Sequence, residues 1–202
     1  MASVFAVAFT LTSAGNLGGG GFIVYHTAGG EKTTFNFREK APLAATANMF
    51  LDEGGKIKNN SNHEGLLSVG VPGTVAGLYK AHHKYGKLPW RKVVQPAIDL
   101  AKKGFPSSYH MQEFLDWVRA NKEEYTSTAN KFLKNGEEIY NPGEIWKQPD
   151  LAKTLKRIKR NGADGFYEGT TATLIENYMK ENGGLITKED LVGYEAVEME
   201  PV

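Results

Sequence analysis

Four consecutive glycines, Gly18 to Gly21, stand at the mouth of an apolar stretch that alternates like a β-strand. Glycine loses more backbone entropy on ordering than any other residue, so an ordered run of four implies that something approaches that backbone closely. Phe22 and Val24, then Phe35 and Phe37, take the period-2 apolar positions of two strands, with Ala28-Gly29-Gly30-Glu31 as the turn between them. The pattern predicts a β-hairpin that delivers Arg38 to its open end. The run has neither the spacing nor the Lys-Ser/Thr of a phosphate-binding loop. Its structural reading is tight packing of a helix or a second backbone against the strand. Arg38 also has two readings, a ligand-gripping cation or a surface ion pair with Glu39 or Glu31.

The rest of the 202-residue chain has room for one sizeable core, or for a core with a subdomain. Twenty-four basic residues against 23 acidic ones leave a net charge of +1, which argues against a nucleic-acid partner. No apolar run reaches the roughly 18 residues of a membrane span. The absence of cysteine excludes disulfides and thiolate chemistry without identifying a compartment. Met1 to Leu11 has no basic n-region and is predicted to be a buried helix rather than a signal peptide. No cap precedes it, and the last residues read as an extended segment in mid-element. Both features lead to the expectation that the chain is part of a larger protein.

Beyond Arg38, Pro42 interrupts the strand ladder, and residues 46–52 are expected to form a short helical turn. Gly70-Val71-Pro72-Gly73-Thr74-Val75-Ala76-Gly77 opens a helix to about Tyr85, with small residues suited to close packing against a sheet and N–H groups that could also favour an anion. Trp90 to Lys103 buries Val93, Val94, Ala97, Ile98 and Ala101 on one face and stops at Gly104. Ser107 or Ser108 caps a helix with Met111, Phe114, Leu115 and Val118 on its apolar side. Residues 121–138 read as an irregular connection with one buried turn at Phe132 and Leu133. Pro149-Asp150 opens a helix whose Lys153, Lys156, Arg157, Lys159 and Arg160 form a solvated face or a docking surface. A helix over 170–181 is expected to turn Leu174, Ile175 and Tyr178 inward, and Thr187 to Asp190 caps a last short helix.

No self-contained catalytic set emerges. The five histidines, His26, His63, His82, His83 and His110, have no metal-binding spacing, and no Gly-x-Ser-x-Gly elbow is present. His82-His83 fits the end of an amphipathic helix. The residues supply a candidate binding group, Arg38, without a nucleophile, a metal site or a cofactor site.

Ten motifs, in order, carry a resemblance. They are residues 14–22 (AGNLGGGGF), Phe37-Arg38-Glu39 with Ala41-Pro42, Met49-Phe50-Leu51-Asp52, residues 70–77 (GVPGTVAG), residues 85–90 (YGKLPW), Gln95-Pro96-Ala97, Gly104-Phe105, Gln148-Pro149-Asp150-Leu151-Ala152, Phe166-Tyr167-Glu168-Gly169 and residues 183–191 (GGLITKEDL). Together they resemble the γ-glutamyltranspeptidases nearly end to end. The resemblance implies an α/β fold, part of the αββα sandwich of N-terminal-nucleophile hydrolases, here a hairpin-containing part and a largely helical region. It implies that residues 1–202 are a single incomplete domain, the central part of a large subunit. The small subunit of the same precursor, made by autocatalytic cleavage and bearing the catalytic threonine, is a separate partner. The implied activity is hydrolysis or transfer of γ-glutamyl groups from glutathione and related donors, without a cofactor, in the periplasm or outside the cell. Arg38 takes the position of the arginine that grips the donor's α-carboxylate, which suits a guanidinium's two parallel N–H donors. Glu39 is placed to orient it. A non-catalytic binding paralogue, an acylase and a poly-γ-glutamate-cleaving enzyme are the alternatives.

Overall fold

A computed structural model describes residues 1–11 and 14–201. The elements, in chain order, are α1 (Ala2–Thr10), β1 (Phe22–His26), β2 (Lys32–Asn36), α2 (Thr74–Tyr85) and α3 (Trp90–Lys103). They continue with β3 (Phe105–Pro106), α4 (Tyr109–Ala120), α5 (Thr126–Phe132), β4 (Ile145–Trp146) and α6 (Pro149–Asn161). The chain closes with α7 (Asp164–Tyr167), α8 (Gly169–Glu181), α9 (Lys188–Val192) and β5 (Val197–Met199). Two compact units result, Met1–Asn16 with Arg91–Lys156, and Leu17–Trp90 with Arg157–Val202.

The first unit is helical. α3 buries Val93, Val94, Ala97, Ile98 and Ala101 as the spacing predicts. Ser108 is the N-cap of α4 and accepts from the Met111 N–H. Trp146, fully buried, stacks on Phe132 at 5.2 Å and meets the edge of Phe105 at 5.9 Å. That aromatic centre explains a departure from expectation. The segment read as irregular contains α5, whose helical turns bring Ala129 and Phe132 onto the same side. α1 is less buried than its composition suggests, with Phe5 inside but Val4 and Val7 at the surface.

The second unit is built on a three-stranded antiparallel sheet in the order β1-β2-β5. The hairpin turn falls where predicted. Thr27 N–H donates to Glu31 O, Gly30 N–H donates to Thr27 O, and Gly30 has φ +91°, a conformation that disfavours any side chain. The register pairs Ile23 with Phe35 and Phe22 with Asn36, so the two apolar sets of the hairpin lie on opposite faces. Phe35 is fully buried, and Phe37, just beyond β2, packs against α2, where a Cβ on Gly77 would overlap the Phe37 ring. Phe22 and Val24 instead join Val197 and Met199 on a face that remains exposed. On the inner face Thr33 donates to Glu198, which also pairs with Lys84 of α2 at 2.6 Å.

Three further expectations change. Residues 46–52 form turns without a helix. α8 buries Thr171, Ala172 and Met179, while Leu174 and Tyr178 are exposed. Its rotation follows from Thr171, whose hydroxyl donates to Gly165 O at 2.6 Å and accepts from Arg157 Nε at 2.8 Å, drawing the small-residue side toward α7. Arg157 is thereby tied into the fold, and the basic side of α6 is not uniformly solvated. α9 has the expected capping box between Thr187 and Asp190, and Asp190 also accepts from Leu43 N–H at 2.6 Å, joining segments 147 positions apart.

Three outcomes are expected. The exposed face of Phe22, Val24, Val197 and Met199 should make the 202-residue chain alone bind a hydrophobic dye, and Val24→Lys with Met199→Lys should abolish the signal. Gly77→Ala should lower stability by about 1–3 kcal/mol through overpacking against Phe37, read by denaturant unfolding. Burial pushes the Asp190 carboxyl up, but donation from Leu43 and Thr187 outweighs it and holds the group below the ordinary aspartate range. Its stabilisation is therefore present above the unfolded pKa and lost as pH falls through the folded one, so Asp190→Asn should flatten the acid limb of a Tm-versus-pH curve.

Candidate substrate-binding site

The backbone ladder of the hairpin runs one pair past its strands. Gly21 N–H donates to Phe37 O at 3.2 Å, and Phe37 N–H donates to Gly21 O at 2.9 Å. At the next residue the glycine run shows its purpose, since a Cβ on Gly20 would lie 2.8 Å from Glu39 N and 2.9 Å from Arg38 Cα and would overlap Phe37 O. Backbone atoms cannot yield as a flexible side-chain end can, so position 20 has no room for a side chain. The close approach inferred from the four glycines is a second backbone, that of Phe37 to Glu39.

Two more glycines surround the same tripeptide. A Cβ on Gly70 would lie 2.9 Å from Glu39 Cβ, and one on Gly73 would overlap Phe37 O and the Tyr194 hydroxyl. The 70–77 motif is thereby seated against Phe37 and Glu39. Lys40 and Val71 exchange backbone hydrogen bonds at 3.2 and 2.7 Å. The first N–H groups of α2 are turned inward, where Gly73 and Thr74 both donate to Gly19 O, at 2.9 and 3.0 Å, and Ala76 donates to the Tyr167 hydroxyl. Of the two readings of this helix start, packing is the one realised.

Arg38 itself sits at the open end of the hairpin, as predicted. Its N–H donates to Asn36 Oδ1 at 3.0 Å, and its carbonyl accepts from the Tyr194 hydroxyl at 2.7 Å. Its side chain is 59% exposed and pairs with Glu39, Nε to Oε2, at 3.3 Å. The arginine side of this pair is open to solvent, so a second carboxylate can reach the guanidinium there. Glu39 Oε2 is shielded from solvent and accepts no hydrogen bond, which leaves the pair with Arg38 electrostatic. Among the described residues no group of three or more His, Asp or Glu side chains could hold a metal ion. What this geometry offers chemically is a positioned, permanently charged fork with a solvent-facing side.

The residues that shape this site without announcing themselves are Asn36, Tyr167 and Tyr194. The Tyr167 and Tyr194 rings stack nearly parallel, 7° apart with centroids at 5.7 Å, and Lys40 Nζ lies 5.0 Å from the Tyr194 centroid. Tyr167 OH donates to Pro72 O at 2.8 Å, and burial pushes its phenol well above the ordinary range. Burial, then the Glu39 charge, push the Tyr194 phenol up to about 12. Tyr194 lies 156 positions from Arg38, beyond the reach of any local pattern.

Residues 1–202 match the sequence profile of the family described as Gamma-glutamyltranspeptidase. The glutathione hydrolase proenzyme of Escherichia coli (strain K12) is 43% identical over 199 residues, which make up 98% of this chain and 34% of that protein. That of Pseudomonas sp. (strain A14) is 42% identical over 198 residues, again 98% and 34%. The chain thus spans about a third of the length of these curated relatives. Among solved structures, the γ-glutamyltranspeptidase of Helicobacter pylori matches with a TM-score of 0.96 and 47% identity, covering 100% of this chain and 58% of that one. The transpeptidase enzyme CapD of Bacillus anthracis matches with a TM-score of 0.78 and 32% identity, covering 100% of this chain and 60% of that one. A cephalosporin acylase from Bacillus halodurans, at 24% identity and a TM-score of 0.87, shares the fold. The mixed helix-and-sheet architecture is that of part of an N-terminal-nucleophile hydrolase. With a profile match from the first residue to the last and a backbone shared with solved members, the chain belongs to the γ-glutamyltranspeptidase family.

Proposed function

We propose that this chain is the central part of the large subunit of a γ-glutamyl hydrolase/transferase, and that Arg38 binds the α-carboxylate of the γ-glutamyl donor. The observation that carries this reading is Arg38 itself. Its backbone is held on both sides at the open end of the hairpin, while its guanidinium keeps a solvent-facing side beside its ion pair with Glu39. A carboxylate that meets the solvent-facing side of the fork gains two parallel charge-assisted hydrogen bonds. Glutathione supplies such a donor, with a free α-carboxylate next to the γ-glutamyl amide. An acyl group without that carboxylate would leave Arg38 unused, which favours a γ-glutamyl donor over an acylase substrate.

In the complete enzyme a threonine hydroxyl from a separate, small-subunit segment attacks the γ-carbonyl. The amine leaves with a proton, and an acyl-enzyme ester remains. Water or an acceptor amine then attacks the ester, releasing glutamate or a new γ-glutamyl amide and returning the proton to the threonine. Arg38 contributes by fixing the γ-carbonyl relative to that hydroxyl, a positioning effect rather than bond chemistry. No helix among the described residues is long and apolar enough to cross a membrane. The reading places the enzyme in the periplasm or outside the cell.

Hydrolysis of γ-glutamyl-p-nitroanilide tests the reading. The chain alone should be inactive, and activity should appear when the small-subunit segment is supplied. Activity of the chain alone would instead require a nucleophile among these 202 residues. In the intact enzyme Arg38→Ala should raise KM by an amount equivalent to about 2–4 kcal/mol, with Arg38→Lys recovering only part of it. A KM unchanged in Arg38→Ala would remove Arg38 from the site.

A further inference from the structure

We propose that Tyr194 is a positioning residue for Arg38, its hydroxyl fixing the Arg38 carbonyl and with it the direction in which the guanidinium is presented. This rests on the reading of Arg38 as the carboxylate-binding residue.

The need for such a residue follows from where the sheet stops. β2 pairs with β5 only through Thr34, Phe35 and Asn36, and the ladder to the glycine run ends at the Gly21–Phe37 pair. Arg38 is the first residue of the hairpin's second arm whose backbone groups are held by side chains instead of a neighbouring strand, the N–H by Asn36 and the carbonyl by Tyr194. The Asn36 contact is local and exposed, spanning two residues. The Tyr194 contact is anchored to the rest of the unit. Its ring lies against Tyr167, whose hydroxyl bridges Pro72 O and Ala76 N–H at the start of α2. Gly73 leaves the space that the phenol oxygen occupies, since any Cβ there would overlap it. The hydroxyl is 2.7 Å from the carbonyl, and with its phenol pushed up to about 12 by burial and then by the Glu39 charge, it stays protonated and able to donate throughout the neutral range.

The leverage is geometric. The guanidinium stands at the end of a long side chain, so a small rotation of the Arg38 peptide becomes a larger displacement of the fork. Two parallel hydrogen bonds to a carboxylate tolerate little of it. The backbone anchor is therefore what aims the fork.

The test uses the intact enzyme with γ-glutamyl-p-nitroanilide. Tyr194→Phe keeps the ring stacked on Tyr167 and removes only the hydroxyl. It is expected to raise donor KM about 3- to 10-fold while kcat stays within about twofold. Ser108→Ala serves as the comparison, because its hydroxyl caps α4 and has no part in the site. It should lower Tm and leave KM unchanged. A Tyr194→Phe enzyme that loses Tm but keeps the wild-type KM would make the hydroxyl merely structural and overturn the proposal. Should that variant not fold, Tyr194→Met takes its place, filling the ring's space without a donor, and a wild-type KM there would equally overturn the proposal. Arg38→Ala separates the two levels. If it raises KM and Tyr194→Phe does not, the positioning role alone fails; if it leaves KM unchanged, the carboxylate-binding reading fails and this proposal with it.

Discussion

The second unit depends on one close contact, the backbone of Gly20 laid against the backbone of Phe37 to Glu39. Every neighbour is arranged to permit it. Gly21 closes the hairpin ladder with Phe37, Gly70 and Gly73 clear the opposite side, and Gly77 makes room for the Phe37 ring on α2. The entropic penalty of four ordered glycines is offset because the run lets three chain segments pack at backbone distance, where side chains would hold them apart. Phe37 is the pivot. Its carbonyl and ring face glycines on both sides, while the residue after it leaves the sheet. The position of Arg38 is thus set by packing on its N-terminal side.

On its C-terminal side the same residue is set by polar contacts that reach across the chain. Tyr194 reaches the Arg38 carbonyl, and four positions earlier Asp190 accepts from Leu43 N–H. α9 and its C-terminal flank therefore grip the 38–43 segment at two points. The α9 capping box serves both purposes, because the carboxylate that caps the helix also supplies the acceptor for Leu43. A short helix of five residues would be marginal alone, and its stability comes from what it clamps.

Much of this was legible in the sequence where the signal is local. The hairpin turn at Gly30, the helix of 74–85, α3 with its buried stripe, the Ser108 cap and the Thr187–Asp190 box all follow from patterns within a few residues. The glycine run announced a close approach, and the hairpin brings its end beside Phe37, but the 70–77 segment that packs on the other side lies too far along the chain for any spacing rule. Period-2 apolarity placed Phe22, Val24, Phe35 and Phe37 in strands without saying which faces they share. Register decides that, and it put the two sets on opposite sides. In α8 apolarity pointed to Leu174 and Tyr178, but the polar contacts of Thr171 turned the helix the other way. α5 was missed because its only buried position within the helix is Ala129, and one small apolar residue makes no stripe.

The exposed sheet face and the exposed guanidinium belong to one argument. Phe22 opens β1 directly after the Gly21–Phe37 pair, so the apolar face begins at the same end of the hairpin from which Arg38 departs. An uncovered set of Phe22, Val24, Val197 and Met199 is costly to leave in water, whereas an arginine there is not. A cover over the apolar residues would bring other backbone and side chains to the edge where the fork stands, and would lower the local dielectric around it. The carboxylate–guanidinium interaction, weak in open water, strengthens as water is excluded. A single cover over this face would therefore bury the apolar residues and strengthen the hold of Arg38 on any carboxylate in the same step.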